Sequence, residues 1–119
     1  MMTTRTFALA ALLAGIAILP AHAAGPFDGS YVGVSTNTMP GGAGCGDGGP
    51  STRVVTDSAF TLNWAGRQAR FSVDSDGTIN SSSNVGIAML SAKGKIASNK
   101  MTYDLNSQRC SFHFEGTKK

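Results

Sequence analysis

Apolar and polar residues alternate with a period of two in one segment of this chain after another, the repeat of a strand with one face in a core and the other in water. Phe60, Leu62 and Trp64 alternate with Thr61 and Asn63, and Phe71 and Val73 with Arg70, Ser72 and Asp74. Met101, Tyr103 and Leu105 alternate with Lys100, Thr102 and Asp104, while Phe112 and Phe114 share a face with Cys110, opposite Ser111, His113 and Glu115. No stretch beyond residue 24 has helical periodicity. Between the strand patterns lie Ala65-Gly66, Ser75-Asp76-Gly77, Lys93-Gly94, Ser98-Asn99 and Asn106-Ser107, all tolerant of tight-hairpin backbone angles. The pattern predicts strands at 29–36, 52–56, 59–65, 67–74, 77–80, 85–91, 93–98, 100–105 and 109–116. Turns every 8–12 residues or so indicate an antiparallel meander. The expected fold class is all-β, a small meander barrel or sandwich of about seven to nine short strands, because closure removes exposed sheet edges.

Two stretches depart from the alternation. Val85-Gly-Ile-Ala-Met-Leu-Ser91 is apolar or small at nearly every position and predicts a central strand packed on both sides. Residues 39–50 hold six glycines, too few side chains to bury, and predict a loop pinned at Cys45; Ser81-Ser-Ser-Asn84 reads as a second soft segment.

The first residues have a different pattern. Arg5 precedes an uninterrupted apolar run from Phe7 to Leu19, followed by Pro20 and Ala21-His22-Ala23, the order of a secretory signal peptide. At roughly 1.5 Å per residue the run covers about 20 Å, too little to cross about 30 Å of hydrocarbon. Residues 1–23 are therefore expected to be a leader cleaved near Ala23, and 24–119 a single periplasmic or secreted domain without a transmembrane span. A domain this small gains from a covalent staple. Cys45 and Cys110, the only two cysteines, are expected to form one disulfide in an oxidising compartment.

Chemical motifs are sparse. The glycine stretch lacks a dinucleotide or phosphate-loop fingerprint and no helix follows it. Asp74-Ser-Asp-Gly-Thr-Ile79 has the middle of a calcium loop, but the register puts Ser83 where a bidentate glutamate is needed; a hairpin turn accounts for the same residues. His113, the sole histidine after the leader, shares a strand face with Glu115, with no nucleophile or oxyanion pocket nominated beside it. No catalytic, metal or cofactor residues are assigned, and the expectation is a protein that is not an enzyme. Trp64 and Tyr31 could line a ligand mouth; with eight aromatics beyond the leader, filling the core is the simpler expectation. Barrels of this size either pack solid or hold one small ligand.

Charge is uneven. Ala24–Ala92 has three basic and five acidic residues, Lys93–Lys119 six basic and two acidic. Lys93, Lys95, Lys100 and Arg109 are thus candidates for a basic face toward an anionic envelope component; lysines guarding outer strands are the plainer reading. Nucleic acid is not an expected partner, since no aromatics interleave with these cations.

Phe27-Asp28-Gly29-Ser30-Tyr31-Val32-Gly33, Asp76-Gly77-Thr78-Ile79, Gly94-Lys95-Ile96 and Cys110-Ser-Phe-His-Phe-Glu-Gly116 resemble small exported proteins of unknown function from alphaproteobacteria. The resemblance implies a bacterial origin, a periplasmic address and a compact β fold. The chain is more loosely similar to periplasmic lysozyme inhibitors, but it lacks their Ser-Gly-x-Arg/Lys-Tyr loop, so no site is carried over. Two functions follow as expectations: a non-catalytic barrel binding a small ligand or an envelope component, and an inhibitor that plugs a hydrolase with segment 39–50 or 81–84.

Overall fold

The computed structural model describes residues 25–39 and 44–119. The expected leader, its cleavage point and residues 40–43 of the glycine stretch lie outside the described residues. Eight strands follow in chain order: β1 (Gly29–Asn37), β2 (Gly48–Val55), β3 (Ala59–Trp64), β4 (Arg67–Ser72), β5 (Thr78–Val85), β6 (Ala88–Ala97), β7 (Lys100–Asn106) and β8 (Ser111–Lys118).

Six strands form one antiparallel sheet in the order β2-β1-β8-β7-β6-β5, and β3-β4 form a hairpin. Strand β1 pairs with β8 from Tyr31 opposite Lys118 to Asn37 opposite Phe112, which joins the two ends of the domain. The β3-β4 hairpin fills the gap between β2 and β5 through single bridges, Thr56 with Ala59 and Val73 with Ile79. At the β4/β5 seam serine hydroxyls replace ladder carbonyls: Ser83 Oγ accepts from the Arg70 amide at 3.2 Å and Ser81 Oγ from the Ser72 amide at 3.1 Å. The result is an eight-strand meander barrel with six continuous ladders and two thin seams. The all-β expectation holds, as does the Cys45–Cys110 disulfide, whose Cα atoms are 5.7 Å apart.

Four expectations need correction, and each error lies in the meaning of small residues. Lys93-Gly94 is not a turn: β6 runs through it, with Gly94 opposite Tyr103. A Cβ at Gly94 would lie 1.9 Å from the Thr102 carbonyl oxygen, so the glycine permits close strand approach instead of chain reversal. The reversal falls instead within 85–91, which is not a central strand. Val85 pairs with Ala88, leaving a two-residue loop with Gly86 at φ 66° and Ile87 fully exposed. Ser81–Asn84 is not a loop either; it is part of β5, and Ser81 and Ser83 face the seam they bridge. In the glycine stretch, Gly48, Gly49 and Pro50 belong to β2 and pair with Thr36, Ser35 and Val34. A proline is tolerated there because β2 has a ladder on one side only.

The two ends of the barrel are built differently. Four two-residue loops reverse the chain at 57–58, 65–66, 86–87 and 98–99. The 57–58 and 98–99 loops, the 73–77 turn and the N-terminal segment share the lower end. There Asp28 accepts from the Asp57 and Ser58 amides at 2.8 and 3.1 Å, which holds its carboxyl below the usual carboxylate range. The Tyr31 hydroxyl donates to the Phe27 carbonyl at 2.7 Å. The Phe27-Asp28-Gly29-Ser30-Tyr31 motif thus ties the N-terminal segment to the base of the barrel.

Candidate functional site

Inward positions of the lower barrel are large and fully buried: Tyr31, Val55, Phe60, Phe71, Ile79, Ile96 and Met101. Phe60 reaches across to Tyr103 with ring centroids 5.2 Å apart and packs on Phe71 at 5.5 Å. This half is solid. Above Tyr103 the inward positions become small or sit at the ends of strands, and a cavity of about 1010 Å³ opens toward the upper rim. Its floor is Ser35, Arg53, Tyr103 and Phe114, and its walls are Leu62, Trp64, Leu105 and Phe112. Loops form the rim: Asn63–Ala65, Ile87–Ala88, Ser107–Arg109 and the Cys45–Cys110 disulfide.

Arg53 faces inward because β2 alternates: Ser51, Arg53 and Val55 are the more buried set, whereas Thr52 and Val54 are exposed. A cation therefore stands inside and a valine outside, the reverse of the usual polarity. The Arg53 Nε donates to the Tyr103 hydroxyl oxygen at 2.6 Å and one Nη donates to the Thr52 carbonyl at 3.2 Å. The guanidinium carbon lies 4.9 Å from the Phe114 ring centroid, and Phe114 packs on Tyr103 at 5.4 Å. Among the described residues no carboxylate forms an ion pair with Arg53. Burial pushes the Tyr103 phenol upward, with Arg53 opposing, so at neutral pH the hydroxyl keeps its proton. On the wall, Trp64 meets Phe112 edge-on, with centroids 6.3 Å apart and planes at 84°.

The residues singled out in the sequence are scattered by the fold. Trp64 lines the cavity, whereas Tyr31 belongs to the solid base. Arg109 stands on the rim, in a turn ordered by Ser107, whose hydroxyl accepts from the Arg109 and Cys110 amides at 3.2 and 2.9 Å. Lys93, Lys95 and Lys100 lie instead on the outer wall of β6 and β7, exposed and interleaved with acids. Lys93 is opposite Asp104, and Lys100 pairs with Glu115 at 3.5 Å. The basic candidates therefore do not form one face.

His113 is also on that outer wall, between Asp104 at 2.7 Å and Glu115 at 3.0 Å. Both ring nitrogens can donate only in the imidazolium, so Asp104 first and Glu115 second raise its pKa. Its side chain is 32% exposed and does not line the cavity, and the trio is a surface charge cluster. Asp74–Thr78 forms a hairpin turn: Asp74 N–H donates to the Thr78 carbonyl at 2.8 Å and Gly77 N–H to the Asp74 carbonyl at 2.9 Å.

Arg53 was missed in the sequence. The available signal was Val55 two residues on, since a buried Val55 puts Arg53 on the same inner face; Val54 and Val55 compete for that face, and the sequence does not choose. Comparison with family models, curated proteins and solved structures finds no match to this chain.

Proposed function

We propose that the protein is an exported, non-catalytic binding barrel, periplasmic or secreted, that holds one small ligand in its upper half. The observation that carries this reading is the open cavity of about 1010 Å³, with a mostly apolar wall and a few convergent polar groups at its floor. That is the composition of a small-molecule site. The disulfide suits an oxidising compartment, and among the described residues no helix is long and apolar enough to cross a membrane. The outer lysines support an envelope partner less well, because Asp104 and Glu115 stand among them. The inhibitor reading loses segment 81–84, which is part of a strand.

The uncharged dye N-phenyl-1-naphthylamine tests the cavity. The expected result is saturable one-to-one binding that quenches Trp64, the only tryptophan. Absence of saturable binding overturns the reading. Export is checked separately by sequencing the N-terminus of protein recovered from its compartment, which should begin at Ala24.

A further inference from the structure

We infer that the cavity takes an apolar monocarboxylate, seated with its carboxylate on the Arg53–Tyr103 floor and its apolar body against Leu62, Trp64 and Phe112. The inference rests on the binding-barrel reading and adds the ligand's chemistry.

The floor is rich in donors and poor in acceptors. Arg53 spends Nε on Tyr103 and one Nη on Thr52, so its second Nη has no partner among the described residues. Tyr103 is only 2% exposed; its oxygen accepts from Arg53, and its own proton meets no acceptor among the described residues. Ser35 is 8% exposed and lines the cavity opposite Phe114 on the β1-β8 ladder; its hydroxyl also has no partner among the described residues. A half-buried guanidinium without a counter-charge is costly, and so is a buried hydroxyl without an acceptor. An anionic oxygen pair at the floor answers all three groups together.

The charge count selects a monoanion. One cation stands at the floor, a second, Arg109, stands at the rim, and among the described residues no Asp or Glu lines the cavity. The field inside therefore draws anions inward, while the floor neutralises one charge. The remaining Nη of Arg53 and the Tyr103 hydroxyl offer one donor to each oxygen of a carboxylate, with the guanidinium carbon held 4.9 Å from the Phe114 ring centroid. The walls above offer aromatic and aliphatic carbon, which selects an apolar body over a sugar or a peptide.

The test is a Trp64 fluorescence titration of the purified, disulfide-bonded protein with decanoate and with decan-1-ol at pH 8. These ligands share a chain and differ at the head. Decanoate is expected to bind on the order of ten- to a hundred-fold more tightly, the range of a hydrogen bond to a charged partner. Arg53→Met should bring the two affinities together, with an unchanged circular-dichroism spectrum and melting transition reporting that the variant is folded. Tyr103→Phe should cost decanoate alone a few-fold. Equal binding of both ligands to the unaltered protein overturns the carboxylate assignment and leaves the binding barrel standing. A preference that survives Arg53→Met overturns the role of Arg53. If neither ligand nor the naphthylamine dye binds, the binding barrel falls and the inference falls with it.

Discussion

The lower and upper halves of this barrel are made by the same eight strands, yet one is a packed core and the other a hollow. Below Tyr103 the inward residues are Phe60, Phe71, Ile79, Ile96 and Met101, all fully buried in one hydrophobic cluster. Above it Ala88 is small, and Leu62, Trp64, Leu105 and Phe112 line an open cavity instead of meeting across it. Strand pairing alone therefore does not determine whether a small barrel is solid; the volumes of alternate residues do. The division also separates the packed core from the open cavity. The base holds the large apolar side chains, and the upper half can keep unpaired donors because the base already stabilises the fold.

Substitutions should respond unequally in the two halves. Phe71→Ala in the base should destabilise by about 3–5 kcal/mol, as a transfer loss plus a cavity the rigid neighbours cannot fill. Urea denaturation measures it, and a loss below about 1 kcal/mol would erase the distinction between the halves. Replacing both cysteines by serine should cost about 2–4 kcal/mol, since the bond closes a long loop separated by 65 residues. Amide exchange should then rise first around the rim, because that is where the bond is attached. Phe112→Ala, in the upper half, should cost about 1–2 kcal/mol, less than Phe71→Ala because the ring is only partly buried and borders a cavity, while weakening dye binding.

The β4/β5 seam runs along the strands through both halves. Ser83→Ala and Ser81→Ala should each cost about 1 kcal/mol and expose the Arg70 and Ser72 amides to exchange. The smallest effect belongs to the outer wall. Folding raises the pKa of His113 from 6.5, so its stabilising contribution is complete below about 6.5 and lost as pH rises through the folded value. Folding lowers that of Glu115 from 4.5, so its contribution is present above about 4.5 and lost as pH falls through the folded value. The melting-temperature difference between the protein and His113→Gln should therefore peak between about pH 4.5 and 6.5 and shrink in salt. A difference that grows above pH 8 would contradict this sign.

How much of the fold could be read in advance depended on the residues at each turn. Ala65-Gly66 and Ser98-Asn99 stand between clean alternating strands, and both are two-residue loops with positive φ. Lys93-Gly94 has the same local chemistry but lies within β6, since a glycine permits close approach as readily as reversal and only Tyr103 on the neighbouring strand distinguishes the two. Serines at 81 and 83 have polar loop character, yet the seam makes them substitutes for backbone acceptors. The cavity floor was the least legible part, because the side chains that make it come from β1, β2, β7 and β8.

Local alternation, turn residues and one cysteine pair were enough by themselves to specify an all-β meander with its disulfide, because those signals act over a few residues or allow one pairing only. Tertiary structure decided that β1 and β8 close the barrel, that Arg53 faces inward to meet Tyr103 and Phe114, and that the lysines of the last strands do not gather with Arg109. Those outcomes depend on register and on cross-barrel volume, which arise only when strands distant in sequence pack against one another.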